Sequence, residues 1–146
     1  MSRKIQESSA ELQEKLGHIL HNIGSPGLVA AYLFGSHAEG RAHRESDIDI
    51  GVLLRYDLCP SSRARFEERV QLSSTLTAAL HHVIDVVILN DAPAPLARRI
   101  VTSGVCIFRS DQEREHAFVR DIQLRAADLE PFLRRMRALK LQAIGR

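Results

Sequence analysis

Between residues 8 and 23 the apolar side chains Leu12, Leu16, Ile19, Leu20 and Ile23 recur at helical spacing, with Glu11, Glu14 and Lys15 elsewhere on the wheel. The pattern predicts an amphipathic first helix, stopped by Gly24-Ser25-Pro26-Gly27. Residues 28–34, LVAAYLF, form an unbroken apolar run that predicts a buried strand closed by Gly35. Residues 47–54 alternate acidic and apolar positions before turning wholly apolar, which predicts a strand with a functional face at its start. After a Cys59-Pro60-Ser61-Ser62 turn, a helix is expected to run to His81 with Phe66, Val70, Leu72, Leu76, Ala79 and Leu80 as its apolar positions. Residues 83–89, VIDVVIL, are β-branched and apolar except for Asp85, and predict a central strand holding one acid. A short helix over residues 96–102 and a last strand over 105–108, at a sheet edge, are expected next. Residues 111–143 are helical in pattern, with Phe118, Ile122, Leu129, Phe132, Leu133, Met136 and Leu139 near one stripe. Pro131 should break or kink that tail, and Asp128 is placed to cap a new helix there.

Alternating strands and helices favour an α/β fold, a mixed sheet with helices packed on it and a helical C-terminal tail. The length of 146 residues, with 45% hydrophobic and 26% charged, suits one soluble globular domain spanning residues 1–146. The net charge of +2 is small, and the 20 basic residues are spread along the chain, so no direct nucleic-acid binding is expected. No window approaches the roughly 20 apolar residues of a membrane span, and the charged start lacks a signal-peptide core, so the expected location is cytoplasmic. Cys59 reads as a loop residue and Cys106 as a small core residue, both reduced, without the spacing of a disulfide framework or a zinc site.

Candidate chemistry gathers between residues 32 and 54. On a strand, Asp47 and Asp49 project to the same face while Ile48 and Ile50 enter the core. Two carboxylates sharing a small space repel, and a hard divalent cation with a preference for oxygen ligands relieves that conflict. Gly35 lets the backbone approach a phosphate, and Ser36 with nearby amides can donate to its oxygens, the more so if Ser36 begins a helical turn. Asp85 is a third acid: burying it in VIDVVIL would be costly without a partner such as a metal. Its plain alternatives are a bond to a neighbouring arginine or a place on an exposed sheet face. Three acids on adjacent strands beside a phosphate-binding turn form an apparatus for two-metal phosphoryl or nucleotidyl transfer.

The spacing of Gly35-Ser36, ten residues, then Asp47-Ile48-Asp49, with Asp85 downstream, resembles the signature of the DNA polymerase β nucleotidyltransferase superfamily. In detail, G-S-H-A-E-G followed by S-D-I-D-I is similar to the minimal nucleotidyltransferases, especially the MntA-type antitoxins paired with HepT-type HEPN toxins. The similarity covers nearly the whole chain. It implies that Asp47 and Asp49 ligate two Mg2+ ions, that Gly35 and Ser36 hold the β- and γ-phosphates of ATP, and that Asp85 ligates the catalytic metal and helps deprotonate the acceptor. Relatives often carry a basic residue where this chain has Glu39, and Arg41 or Arg44 are the candidates to supply the phosphate contact instead. His37 and His43 lie in the site loop and are candidates to touch nucleotide, whereas His18, His21, His81, His82 and His116 read as surface residues. The G-x-x-x-x-G-K-[ST] and G-x-G-x-x-G phosphate loops are absent.

Three functions follow from the resemblance. The first is an adenylyltransferase antitoxin that moves AMP from ATP to a tyrosine of a HEPN ribonuclease toxin. The second is transfer to a small hydroxyl acceptor such as an aminoglycoside, for which the chain is short. The third is a non-catalytic antitoxin acting by occlusion, with the stripe from Phe118 to Leu139 as its docking face; the plain alternative for that stripe is packing on the sheet.

Overall fold

A computed structural model describes residues 8–40 and 47–144 of the chain. Helix α1, Ser9–Ile23, starts at a reciprocal cap: the Glu11 amide donates to Ser8 Oγ and the Ser8 amide to the Glu11 carboxylate, both at 3.2 Å. It ends at Gly24, whose left-handed φ of 62° turns the chain toward the sheet. The strands β1, Leu28–Phe34, and β2, Ile48–Leu54, pair antiparallel, with Phe34 opposite Asp49. Helix α2, Ser62–Leu80, capped by Ser61 Oγ, crosses over to β3, Ile84–Ile88, which lies parallel to β2. Helix α3, Ala94–Ser103, then leads to β4, Val105–Arg109, antiparallel to β1, and α4 runs Gln112–Ile144.

The sheet order β3-β2-β1-β4 gives one four-stranded mixed sheet with helices on both faces, the α/β architecture expected from the alternation of elements. Ile48, Ile50, Val52 and Leu54 project to one face and pack with Leu12, Leu16 and Leu20 of α1 and Leu72 and Leu76 of α2. Ala30, Tyr32 and Leu53 project to the other, with Ala97 and Ile100 of α3 and Ile122 of α4. Alternation along β2 therefore assigns Asp49 and Gly51 to the α3–α4 face. Gly51 admits α3 at close range: a β-carbon there would stand 2.8 Å from Ile100 Cγ2.

Three sequence expectations need correction. β3 is an edge strand, not a central one, because the α2 crossover lays it outside β2. Its apolar residues Ile84, Val86 and Ile88 serve one face only, and Asp85 on the other is exposed. In α2, Phe66 and Val70 face solvent, while Arg65 shares the buried face with Leu72 and Leu76. The Arg65 guanidinium is held by a paired contact to Asp91 (2.9 Å twice) and by the Cys59 carbonyl at 3.0 Å, which satisfies a charge that burial would otherwise penalise. Cys59 lies in the loop where it is expected, buried against Gly27, whereas Cys106, expected in the core, is exposed on the edge strand β4. Both are free thiols.

Finally, α4 is one continuous helix through Pro131, so Asp128 is an interior residue and not a cap. Proline removes one backbone donor and displaces the carbonyl four residues back. Here that carbonyl belongs to Ala127, an exposed residue, so water can satisfy it. Only the first half of α4 packs on the domain, through Glu115, Ile122 and Ala126. Leu129, Phe132, Met136 and Leu139 remain 41–60% exposed, so the tail's apolar stripe is not consumed by the sheet.

Candidate active site

The site begins where β1 ends. Gly35 has φ 76°, a left-handed conformation that only glycine adopts without strain, and the Glu39 amide donates to the Gly35 carbonyl at 3.1 Å to close a single turn over residues 36–40. A second constraint comes from β2. A β-carbon at Gly35 would collide with Asp49 Oδ2 and lie 3.3 Å from its Cγ, so the turn and the acidic strand meet through the missing side chain. Ser36 and His37 in this turn are half-buried.

Asp47 sits exposed just before β2, and Asp49 is half-buried at its second position. The parallel register sets Asp85 beside Asp49, so the two side chains leave the same face of adjacent strands. Burial first, then the charges of Asp85 and Asp47, push the Asp49 carboxyl above its ordinary range, and His37 partly offsets them. Asp85 itself is about half exposed and lies 3.8 Å from Arg69 of α2, which reaches around the sheet edge. Asp85 thus fulfils both of its plain alternatives, an arginine contact and an exposed face, and desolvation does not account for it. Its register with Asp49 is what brings it to the site.

These acids suit a hard cation by charge and by oxygen chemistry, and the crowding around Asp49 is the kind of conflict that such an ion relieves. Among the described residues, no three His, Cys, Asp or Glu side chains are already closed around one point. Arg41, Arg44 and His43 lie outside the described residues.

Three neighbours were not legible beforehand. The His82 ring meets the His37 ring edge-on, with centroids 5.8 Å apart, although the sequence reading left His82 on the surface. Arg69 looks in sequence like any solvated helix arginine. On α3, Leu96, Arg99, Ile100 and Ser103 face Phe34, Gly35 and Glu39 across a cavity of about 150 Å³. Their i, i+3, i+4, i+7 spacing was a visible signal that one face of α3 addresses one place, but not which place.

Residues 14–113 match the family described as Polymerase beta, Nucleotidyltransferase. Among curated proteins, the protein adenylyltransferase MntA of Shewanella oneidensis is 37% identical over 99 residues, 68% of this chain and 67% of that one. Among solved structures, a toxin-antitoxin with AMP-PNP is similar at a TM-score of 0.65 with 28% identity, over 92% of this chain and 98% of that one. The toxin-antitoxin MntA-HepT is similar at a TM-score of 0.60 with 26% identity, over 93% and 99%. Among the described residues of this chain, no helix is long and apolar enough to cross a membrane.

Proposed function

The chain belongs to the polymerase β nucleotidyltransferase family, and we propose that it is a protein adenylyltransferase antitoxin, which transfers AMP from ATP to a tyrosine of a partner HEPN toxin and so neutralises it. One observation carries the reading: Asp49 stands in register with Asp85 while its carboxylate fills the space left by Gly35, so acids and phosphate turn share a single corner. The relatives named above supply the class of reaction and the class of partner.

In this reading Asp47, Asp49 and Asp85 hold Mg2+, and the Gly35-Ser36 turn receives the β- and γ-phosphates. Magnesium, when bound, supplies neutralising charge for the triphosphate and the developing pyrophosphate. The tyrosyl oxygen attacks the α-phosphorus, the bond from that phosphorus to the bridging oxygen breaks, and pyrophosphate departs. The phenolic proton passes to Asp85, whose exposure leaves room for an incoming acceptor. A phenol of reference pKa ~10 is protonated at neutral pH, so the transfer needs such a base.

Incubation with ATP, Mg2+ and the co-encoded toxin should add AMP mass to a toxin tyrosine, and the Asp47→Asn plus Asp49→Asn double variant should add none. Absence of the adduct with the unaltered protein would sink the reading. The exposed stripe Leu129, Phe132, Met136 and Leu139 favours one second reading, neutralisation by occlusion. If the double variant folds and still neutralises the toxin fully, occlusion is the means.

A further inference from the structure

Helix α3 is seated on the sheet by Ile100, which packs against Gly51, two residues beyond Asp49. The same helical face carries Arg99 and Ser103 to the cavity that Phe34, Gly35 and Glu39 wall on the other side. Most arginines of the described residues hold a carboxylate, among them Arg55, Arg65, Arg69, Arg109, Arg114, Arg125, Arg134 and Arg137. Arg99 is exposed and forms no ion pair with any described carboxylate, Glu39 of the same cavity included. A guanidinium without a counter-ion, on a rigid helix and beside a glycine turn, is a receptor for a phosphate.

Size narrows the ligand. The cavity's 150 Å³ falls well below the ~300 Å³ at which pockets for whole small-molecule ligands begin, a size that suits a phosphate group better than a nucleoside. We propose that Arg99, assisted by the Ser103 hydroxyl, forms a subsite with the Gly35 turn that binds the terminal phosphates of ATP and then the departing pyrophosphate. This rests on the adenylyltransferase reading and adds to it a binding residue from α3.

Calorimetric titration of Mg·ATP, pyrophosphate and AMP into the full chain tests the subsite, comparing the unaltered protein with Arg99→Gln and Arg99→Lys. The expected result is roughly tenfold weaker binding of ATP and pyrophosphate by Arg99→Gln, with AMP unchanged, and partial recovery with lysine. An unchanged melting temperature, expected for an exposed side chain, excludes unfolding as the cause. Equal ATP affinity in both proteins overturns the subsite, as does an equal loss for AMP. If the unaltered protein modifies the toxin and binds ATP no better than Arg99→Gln does, only the subsite falls; if it neither binds ATP nor modifies the toxin, the underlying reading falls with it.

Discussion

The carboxylate of Asp49 occupies the space where a side chain on Gly35 would begin. A methyl group at Gly35 therefore meets two penalties, a left-handed φ of 76° and a collision with Asp49. The φ strain alone costs ~1–2 kcal/mol, and displacement of Asp49 should abolish AMP transfer. Gly35→Ala is expected to lower the melting temperature and to be inactive. Adding Asp49→Ala to it should recover part of the stability, because the colliding atoms are gone, but no activity. A double variant no more stable than the single one would show that the two residues are not in conflict.

Asp85 and Arg69 are 3.8 Å apart and both are about half exposed, so solvent screens their attraction. Arg69→Ala should change stability by no more than ~0.5 kcal/mol. Under the proposed function, the contribution of Asp85 is to the ligand instead. A ligand that binds only the folded state raises the melting temperature in proportion to its affinity, so Mg·ATP should stabilise the unaltered protein and EDTA should cancel the effect. Asp85→Asn should show a smaller shift. An identical shift in the two proteins would remove Asp85 from the site.

The elements were legible in the sequence because their signals are local. The stop at Gly24 and the apolar run of residues 28–34 each need only a few neighbouring residues to be read. The position of β3 was not legible, since strand order depends on where the α2 crossover lands. VIDVVIL reads alike as a central strand and as an edge strand covered on one face by a helix. That ambiguity carried into the chemistry: Asp85 drew notice as a buried acid, whereas the structure leaves it exposed and sets it beside Asp49 by register. Cys106 departs from its expected place in the core for a related reason: an apolar run on an edge strand can point outward. Arg69 and Arg99 were invisible because a helix arginine has the same sequence appearance whether it faces water or a site.

Tyr32, on β1, gives the domain an alkaline limit. Burial first, then the charges of Glu115 and Cys106, push its phenol above the ordinary range, with Arg109 opposing them. The folded state thus holds the proton more tightly than the unfolded chain, where the phenol ionises near pH ~10. Below that pH the contribution to stability is complete; as pH rises beyond it the unfolded state loses the proton first and stability falls, by at most ~1.4 kcal/mol per pH unit. Urea titrations between pH 8 and 11 should show a steeper alkaline decline for the unaltered protein than for Tyr32→Phe. Parallel curves would mean that the Tyr32 phenol is not shielded.

The second half of α4 tests how far the cooperative domain extends. Pro131 lies inside the helix, and its replacement by alanine restores a backbone donor toward the Ala127 carbonyl. In a helix interior that exchange is worth up to ~3 kcal/mol of helix stability. Yet Leu129, Phe132, Met136 and Leu139 are exposed, and the buried residues of α4 end at Ala126, so this segment can open without disturbing the sheet. A gain confined to a segment that opens by itself slows local exchange and leaves global unfolding where it was. Pro131→Ala should therefore slow amide hydrogen exchange over residues 128–140 while the melting temperature stays unchanged. A melting temperature that rises along with the protection would mean that the distal helix unfolds together with the sheet, and that its apolar stripe is part of the domain's stability, not a surface left for a partner.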